Sequence, residues 1–347
     1  MTLEEFLDTW HSPSETLLVH TSGSTGTPKP MLVEKRRMLN SAKITCDFLG
    51  LKPGDTALLC MSLDYIAGKM MVVRSIEHSL KLISVKPSGH PLKDIDTDIT
   101  FAAMVPMQVY NTLQVPEERE RLTHIKHLII GGGAIDSSLE AELRSLPGDI
   151  AIWSTYGMTE TLSHIALRRI NGKEASEWYQ PFDSVKVSQT EEGCLVIDAP
   201  LVCKQPLVTN DIVEIQPNIC NDIQPNIYNE LQPYIYNNVR EEGGRFRIKG
   251  RKDNVICSGG IKIQIEEVES LLKPHLQKPF MLAKRKNEKF GEIAVLLTED
   301  EDLKKVEATV RRLLSDNSKK YWIPREYMHV ESLPLTETGK PKRAILL

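Results

Sequence analysis

The 347-residue sequence has no cysteine pair in the C-x-x-C spacing and no apolar run near the roughly 18 residues that a membrane helix needs. Its six cysteines, spread from Cys46 to Cys257, are therefore interpreted as free thiols in a reducing compartment. The N-terminal stretch MTLEEFLDTW is acidic and lacks the pattern of a signal peptide. These absences predict a cytoplasmic protein with no membrane insertion.

The sequence also lacks an excess of charge of one sign. Lys and Arg number 43 against 47 Asp and Glu, a net charge of −4, and no basic stripe with interleaved aromatic residues occurs. This balance argues against a nucleic-acid partner. The length allows two domains with a sizeable core, and the oligomeric state stays open, with a homodimer as one possibility.

The first half alternates between short apolar runs and helix-like segments. The strand-like runs are 57–60, 82–85, 127–130 and 150–153, and a helix is expected after Asp136, with Leu139, Leu143 and Leu146 on one face. Such alternation predicts a layered α/β domain with a mainly parallel sheet, whose ligands bind at the carboxyl ends of the strands.

Residues 216–239 interrupt this pattern with three octads, QPNICNDI, QPNIYNEL and QPYIYNNV. A proline in each octad excludes a helix interior or a central strand. We interpret the octads as a surface insert without catalytic groups. After Gly250, the apolar run 293–297 and an amphipathic helix carrying Leu303, Val306 and Val310 predict a small α+β domain. The predicted domains are residues 1–252, which contain the insert, and residues 253–347.

The segment HTSGSTGTPKP, residues 20–30, follows the apolar run 16–19 and precedes a helix-like segment, so we interpret it as a loop that leaves a strand. Its composition is that of a phosphate cradle. Glycines let backbone amides approach an anion, and hydroxyls and a lysine add donors and charge. A Walker A loop is excluded because Pro28 stands where it needs glycine. The candidate ligands of phosphate are Thr21, Ser22, Gly23, Ser24, Thr25, Gly26 and Lys29.

Five segments in order, this loop followed by STYGMTET (154–161), TNDIVEI (209–215), RFRIKGRKDNVICSGGIKIQIEEVE (245–269) and PLTETGKPKR (334–343), resemble the motifs of the adenylate-forming superfamily, the acyl- and aryl-CoA ligases. GGGAI (131–135) resembles its glycine-rich strand end. The resemblance implies a large α/β domain, here shortened at its N-terminus, with a small mobile C-terminal domain. It also implies ATP, Mg²⁺ and coenzyme A.

The resemblance assigns roles to individual residues. Thr159 would contact phosphate, Glu160 would hold Mg²⁺, and Lys340 would bridge the carboxylate and the α-phosphate. The expected nucleotide contacts are Gly132, Gly133, Tyr156, Asp211 and Arg251. Asp253 would be the interdomain hinge, and the coenzyme A loop would be Ser258, Gly259 and Gly260. Asn210 departs from the glycine that the family usually has before Asp211.

The compact build resembles the 2-succinylbenzoate–CoA ligases of menaquinone biosynthesis. Tyr65 stands where that family has a histidine at the acyl site, which puts the acid in doubt. Lys69 or Arg74 could pair with a second substrate carboxylate, although we favour surface charges for both. Two alternatives stay open: an adenylating enzyme that loads a carrier-protein thiol, and a nucleotide-binding module without turnover.

Three histidines are candidates for further ligands. His124 and His127 have a spacing compatible with metal binding, but no further ligand gathers near them in the sequence. His164 could touch a substrate, and we favour a satisfied or surface histidine.

Overall fold

A computed structural model describes residues 1–20, 29–147, 149–217, 239–315 and 319–334. The chain forms two compact units. The first contains Met1–Ser188, Val196–Val208 and Ile215–Arg247, and the second contains Gln189–Leu195, Thr209–Glu214 and Ile248–Leu347. The division between residues 252 and 253 stays a prediction, and the octads between 218 and 238 lie outside the described residues.

A seven-stranded sheet organises the first unit, in the order β4-β3-β5-β6-β7-β8-β9. Its strands are β3 (Thr56–Leu59), β4 (Lys81–Ser84), β5 (Phe101–Met104), β6 (His127–Ile130), β7 (Ala151–Gly157), β8 (His164–Arg169) and β9 (Gln180–Pro181). Strands β4, β3, β5, β6 and β7 run parallel to one another, β8 is antiparallel to β7, and β9 is antiparallel to β8. The predicted mainly parallel sheet is therefore confirmed, and β5 is a central strand that the apolar runs did not predict.

The described α-helices of the first unit begin with one near the N-terminus and continue between the strands. They are α1 (Leu3–His11), α2 (Lys35–Leu49), α3 (Ile66–Glu77), α4 (Pro106–Leu113), α5 (Pro116–Thr123) and α6 (Ser137–Arg144). Helix α6 begins where the sequence predicted, because the Asp136 carboxylate accepts hydrogen bonds from the amides of Ser138 and Leu139 at 2.9 and 3.1 Å. Leu139 and Leu143 are buried in the core beneath β3, β5 and β6.

A separate two-stranded antiparallel sheet flanks the predicted phosphate loop. It consists of β1 (Thr16–His20) and β2 (Pro30–Glu34), with His20 paired to Pro30. The expected strand before the loop is confirmed, but the expectation of a helix directly after it is wrong. The apolar run Met31–Val33 pairs with β1 first, and α2 follows.

Four further strands, β10 (Lys186–Thr190), β11 (Cys194–Asp198), β12 (Leu207–Pro217) and β13 (Val239–Arg251), form a closed barrel in that order. The sequence did not predict this barrel, because the octads separate β12 from β13.

The second unit contains the predicted small α+β fold. Its five-stranded sheet has the order β15-β14-β17-β16, with β18 parallel to β17. The elements are β14 (Val255–Ser258), β15 (Ile261–Gln264), α7 (Ile265–Leu272), β16 (Phe280–Asn287), β17 (Gly291–Thr298), α8 (Leu303–Leu313) and β18 (Glu326–His329). Val306 and Val310 of α8 are buried as the amphipathic pattern predicted.

Candidate active site

The carboxyl ends of the parallel strands bring two of the predicted segments to one edge of the first unit. Strand β6 ends at Ile130 and is followed by the glycine segment Gly131–Gly133. Strand β7, its neighbour, ends at Gly157 and is followed by a turn of 3-10 helix at Thr159–Thr161. Because parallel strands end on the same side, this edge is where a ligand is expected.

The glycine segment lies too close to β7 for a side chain at its first position. A Cβ on Gly131 would lie 2.3 Å from the Thr155 hydroxyl oxygen, so the close approach requires glycine. Gly132 has a φ of +77°, and Gly132 and Gly133 are both exposed. An exposed backbone without side chains is suited to a flat ring, and the contact with adenine stays a prediction.

The turn after β7 is fixed by the buried hydroxyl of Thr161. This hydroxyl accepts from the Met158 amide at 2.9 Å and donates to the Ser163 carbonyl at 2.7 Å. A Cβ on Gly157 would lie 2.3 Å from the same carbonyl oxygen, which makes glycine necessary there. Leu162 closes the turn with a positive φ of +64°, which is uncommon for a residue with a side chain. We call Gly157–Ser163 the locked turn.

The locked turn presents its two predicted functional side chains differently. Thr159 is buried, with 6% of its surface exposed, whereas Glu160 is exposed. The described part of the chain offers the Glu160 carboxylate no hydrogen-bonding or ionic partner. The predicted metal ligand therefore faces outward from a turn whose backbone is held by other groups.

Tyr156 lies in an aromatic cluster that the sequence patterns did not predict. Its ring is 7% exposed and packs edge-to-face against Phe246, with centroids 5.1 Å apart, and against Tyr179 at 5.9 Å. These residues are far apart in the sequence and belong to no common motif, so the sequence did not predict that they are in contact. The contact of Tyr156 with adenine stays a prediction.

The predicted phosphate loop is described only at its end. Thr21, Ser22, Gly23, Ser24, Thr25 and Gly26 lie outside the described residues, and Lys29 is exposed immediately before β2. The catalytic lysine predicted at Lys340 also lies outside the described residues.

The residues predicted to contact the acyl group lie at the start of α3. Tyr65 precedes the helix and is 60% exposed, while Lys69 is 3% exposed and donates to the Leu63 carbonyl. Burial lowers the pKa of Lys69. Arg74 is only 2% exposed. The preferred interpretation of Lys69 and Arg74 as surface charges is therefore wrong, because residues 68–75 of α3 are all buried, on every side of the helix.

In the second unit, the predicted ribose and hinge residues lie together. An Arg251 guanidinium nitrogen is 3.6 Å from a carboxylate oxygen of Asp211 and another is 3.5 Å from Asp253. The side-chain amide of Asn210 also donates to Asp253, at 3.3 Å. Asn210, which stands where the family usually has glycine, thus places its side-chain amide beside Asp253, the predicted hinge residue. All these roles stay predictions.

The predicted coenzyme A loop is the tight turn between β14 and β15. Ser258 pairs with Ile261, so Gly259 and Gly260 are the two central residues, with φ values of +58° and +85°. Positive φ at both positions is typical of a type I′ hairpin turn. The Gly259 amide donates to the Phe290 carbonyl at 2.8 Å. We call this segment, Ser258–Ile261, the glycine turn.

The histidines considered as further ligands have structural surroundings. The described residues contain no group of three or more His, Cys, Asp or Glu side chains able to hold a metal. Burial, with Lys126 and Arg169 nearby, lowers the pKa of His127 to about 4. His164 is buried and hydrogen-bonded through both ring nitrogens, as the satisfied-histidine interpretation expected.

Two of the expected absences can be compared with the structure. Among the described cysteines, Cys46, Cys60, Cys194, Cys203 and Cys257 are free thiols. No helix in the described ranges is both long and apolar enough to span a membrane.

The chain belongs to the AMP-binding enzyme family, whose sequence pattern matches residues 8–198. It is also similar to a solved structure, the acyl-CoA synthetase (AMP-forming)/AMP-acid ligase II-like protein of Dyadobacter fermentans. That likeness has 31% identity and a TM-score of 0.62, and covers 98% of this chain and 91% of the other. The predicted adenylate-forming fold is confirmed.

Two curated relatives are longer than this chain. The 2-succinylbenzoate–CoA ligase of Haemophilus influenzae is 27% identical over 80% of this chain, which spans 58% of that protein. A plipastatin synthase polypeptide of Bacillus subtilis is 24% identical over 95% of this chain, which spans 13% of that much longer protein. The chain therefore spans less than two thirds of either relative.

Proposed function

We propose that this protein is an ATP-dependent acid–CoA ligase that works through an acyl-adenylate. In the first half-reaction, a carboxylate oxygen attacks the α-phosphorus of ATP, and the bond to the leaving pyrophosphate breaks. In the second, a thiolate sulfur attacks the acyl carbon and AMP leaves. The observation that carries the proposal is the locked turn, which carries the exposed Glu160 after β7, at the same carboxyl edge of the sheet as the glycine segment after β6.

The first half-reaction brings two anions together, so the site must spread negative charge. Thr159 and the loop of residues 21–29 would bind phosphate oxygens, with Lys29 supplying positive charge. Lys340 would bridge the attacking carboxylate and the α-phosphate. Gly132, Gly133 and Tyr156 would contact adenine, and Asp211 with Arg251 would hold the ribose hydroxyls.

The residues present fit Mg²⁺. Glu160 is an exposed, hard oxygen ligand with no partner among the described residues, and Mg²⁺ in nucleotide sites commonly has one or two protein carboxylates together with phosphate oxygens and water. When bound, Mg²⁺ would neutralise charge on the phosphates.

The second half-reaction needs a path for coenzyme A. The glycine turn, with no side chain on Gly259 or Gly260, would let the narrow pantetheine arm pass close to the backbone. The turn and Lys340 are both needed near the same reacting carboxyl group at different times. We therefore assign the backbone at Asp253 as the hinge that exchanges them.

For the acid, we propose 2-succinylbenzoate, with Tyr65 and Lys69 at the acyl end of the site. The support is the likeness to ligases of that substrate, among them the Haemophilus influenzae enzyme. Tyr65 keeps a flat, hydrogen-bonding ring at the position of the family histidine.

A second candidate is an adenylating enzyme that transfers its acyl group to a carrier-protein thiol. Its support is the likeness to the plipastatin synthase polypeptide over 95% of the chain. The first half-reaction would be the same, and only the thiol acceptor would differ. A nucleotide-binding module without turnover is the third candidate, against which the retained Glu160 and Lys340 argue.

The experiment is an assay of AMP formation with a panel of aryl, dicarboxylic and short aliphatic acids. Each acid is tested with coenzyme A and with a phosphopantetheinylated carrier protein as the thiol. We expect AMP formation that depends on 2-succinylbenzoate and coenzyme A together. Release with the carrier alone would favour the second candidate, and nucleotide binding without AMP formation from any acid would favour the third.

A further inference from the structure

Arg74, on α3, is an arginine buried without a carboxylate partner among the described residues. One guanidinium nitrogen donates to the Ser163 hydroxyl, and another lies 3.7 Å from the Met71 sulfur, while Nε has no hydrogen-bonding partner in the described part of the chain. Burial lowers the pKa of Arg74 to about 10, so the side chain remains charged at neutral pH. A charge buried with so few partners is costly unless each contact is kept.

The hydrogen bonds around Arg74 have one consistent direction. A guanidinium only donates, so the Ser163 oxygen accepts from Arg74 and its own proton goes to Nδ1 of His164, 3.2 Å away. Nδ1 is then unprotonated, and Nε2–H of His164 donates to the Thr45 hydroxyl at 3.1 Å. Thr45 in turn donates to the Ser41 carbonyl at 3.1 Å. Burial and the charge of Arg74 lower the pKa of His164 well below its usual value, which keeps the ring neutral.

This chain of hydrogen bonds connects α3 with the locked turn. Ser163 directly follows Leu162, the residue with positive φ, and its amide donates to the Thr161 carbonyl at 2.7 Å. Thr161 is part of the same short turn as Thr159 and Glu160. At its other end, α3 begins immediately after Tyr65. A displacement of Arg74 would therefore move the turn that carries Thr159 and Glu160, and it would also move α3, which begins next to Tyr65.

We propose that Arg74 is a positioning residue that holds Thr159 and Glu160 in place through Ser163. It makes the phosphate-binding turn dependent on the placement of α3, the helix that begins at the acyl end of the site. The expected effect on the rate of adenylate formation rests on the proposed function. The expected effect on the turn and on the tautomer of His164 rests only on the hydrogen-bond directions.

The kinetic test uses acid-dependent exchange of labelled pyrophosphate into ATP, which reports adenylate formation alone. We expect Arg74→Met to lower kcat at least 30-fold, with the KM for the acid changed less than 3-fold. Ser163→Ala should lower kcat about 10-fold, and the double variant should be no slower than Arg74→Met, because both changes break one connection. Arg74→Lys, which keeps the charge, should recover part of the rate.

The matched control is Arg121→Met. Arg121 also donates to loop carbonyls, those of Leu92 and Lys93 at 3.0 and 2.6 Å, but it lies on α5 near the amino ends of the strands. We expect this variant to exchange pyrophosphate at the wild-type rate. Loss of activity equal to that of Arg74→Met would overturn the specific role of Arg74.

Two kinetic results would overturn the proposal. A KM for the acid raised 10-fold or more at unchanged kcat would mean that Arg74 contacts the substrate directly. Multiplicative effects of Arg74→Met and Ser163→Ala would mean that they act through separate groups. If Arg74→Met does not fold, Ser163→Ala at full kcat would still overturn it.

A spectroscopic test separates this inference from the proposed function. Nitrogen-15 chemical shifts of His164 should show the Nε2–H tautomer in the wild-type protein and a changed tautomer mixture in Ser163→Ala. Faster amide exchange of Thr161 and Ser163 in Ser163→Ala would support the positioning role. Wild-type protein without exchange activity for any acid would remove the proposed function, while an Nδ1–H tautomer would remove the inference.

Discussion

The locked turn and the glycine turn are both predicted to touch substrate, yet they are stabilised in different ways. In the locked turn, the Thr161 side chain satisfies backbone groups, Leu162 has a positive φ, and Ser163 is tied to a buried arginine. The glycine turn has no side chain at its two central positions, and a backbone hydrogen bond to Phe290 holds it. The first geometry suits fixed binding of phosphate, and the second suits close passage of a chain.

The largest effect should come from adding a methyl group to the locked turn. Gly157→Ala would place a Cβ 2.3 Å from the Ser163 carbonyl oxygen and 2.5 Å from Cα of His164. Because both are backbone atoms, relief requires a shift of the chain, and we expect unfolding in urea to show a loss of about 3 kcal/mol. A loss below about 1 kcal/mol would show that the turn adapts and is not locked.

Glu160→Gln should slow adenylate formation without this loss of stability. Its carboxylate has no partner in the described part of the chain, so the folded state should lose less than about 0.5 kcal/mol. Adenylate formation should fall roughly 100-fold, about 2.7 kcal/mol of transition-state stabilisation, because an amide binds Mg²⁺ weakly. The measurement is pyrophosphate exchange at saturating ATP with Mg²⁺ varied.

The control for Glu160 is Glu120→Gln, an exposed glutamate on α5. Equal rates for Glu120→Gln and wild type would show that removing one negative charge from the surface is not enough to slow adenylate formation. Should Glu160→Gln exchange pyrophosphate normally, the metal-binding role would belong to another residue.

Acid should destabilise the first unit through the half-buried His127 and the buried His164. Burial lowers the pKa of His127 to about 4 and that of His164 well below its usual value. The unfolded chain then binds more protons below about pH 6.5, so stability is full above that pH and falls toward the folded pKa values. At pH 5.5 His127 should lower the free energy of unfolding by about 1 kcal/mol, and His164 should act in the same direction.

Urea unfolding between pH 7.5 and 5.5 measures this effect. His127→Gln should make the pH dependence less steep, since it removes one of the two groups. An unchanged slope in that variant would mean that His127 is accessible to protons in the folded state.

Local sequence patterns were enough to predict much of this fold. Runs of four apolar residues predicted strands because buried parallel strands need both faces apolar, and Asp136 predicted the start of α6 through its capping carboxylate. The pattern failed at β5, whose FAAM follows a stretch rich in aspartate, and at the barrel. The resemblance placed a loop at Ser258, Gly259 and Gly260, and the structure has a tight turn there with positive φ at both glycines, which two adjacent glycines favour.

Contacts between distant residues could not be predicted in this way. Arg74 and Ser163 are 89 positions apart, and neither belongs to a motif that names the other. The contact between Tyr156 and Phe246 likewise joins β7 with β13, the last strand of the barrel, and the two strands are far apart in the sequence. Burial of Lys69 and Arg74 was missed because an amphipathic pattern does not show that a charged side chain faces inward.

The smallest effect should come from the glycine turn, where the two central positions can be separated. Nothing lies within 4 Å of a Cβ on Gly260, so Gly260→Ala meets only backbone strain at its φ of +85°, about 1 kcal/mol. Gly259→Asn should cost less stability, because Asn-Gly is the preferred pair in a type I′ turn.

The same two variants test the role of the glycine turn in catalysis. If backbone geometry alone limits thioester formation from a preformed adenylate, Gly260→Ala should slow that step about 5-fold and Gly259→Asn less than 2-fold. A slower step in Gly259→Asn, despite its milder strain, would show instead that the pantetheine arm needs the space beside Gly259. In both variants adenylate formation should keep its wild-type rate, and a parallel loss there would remove the glycine turn from its assigned role in the second half-reaction.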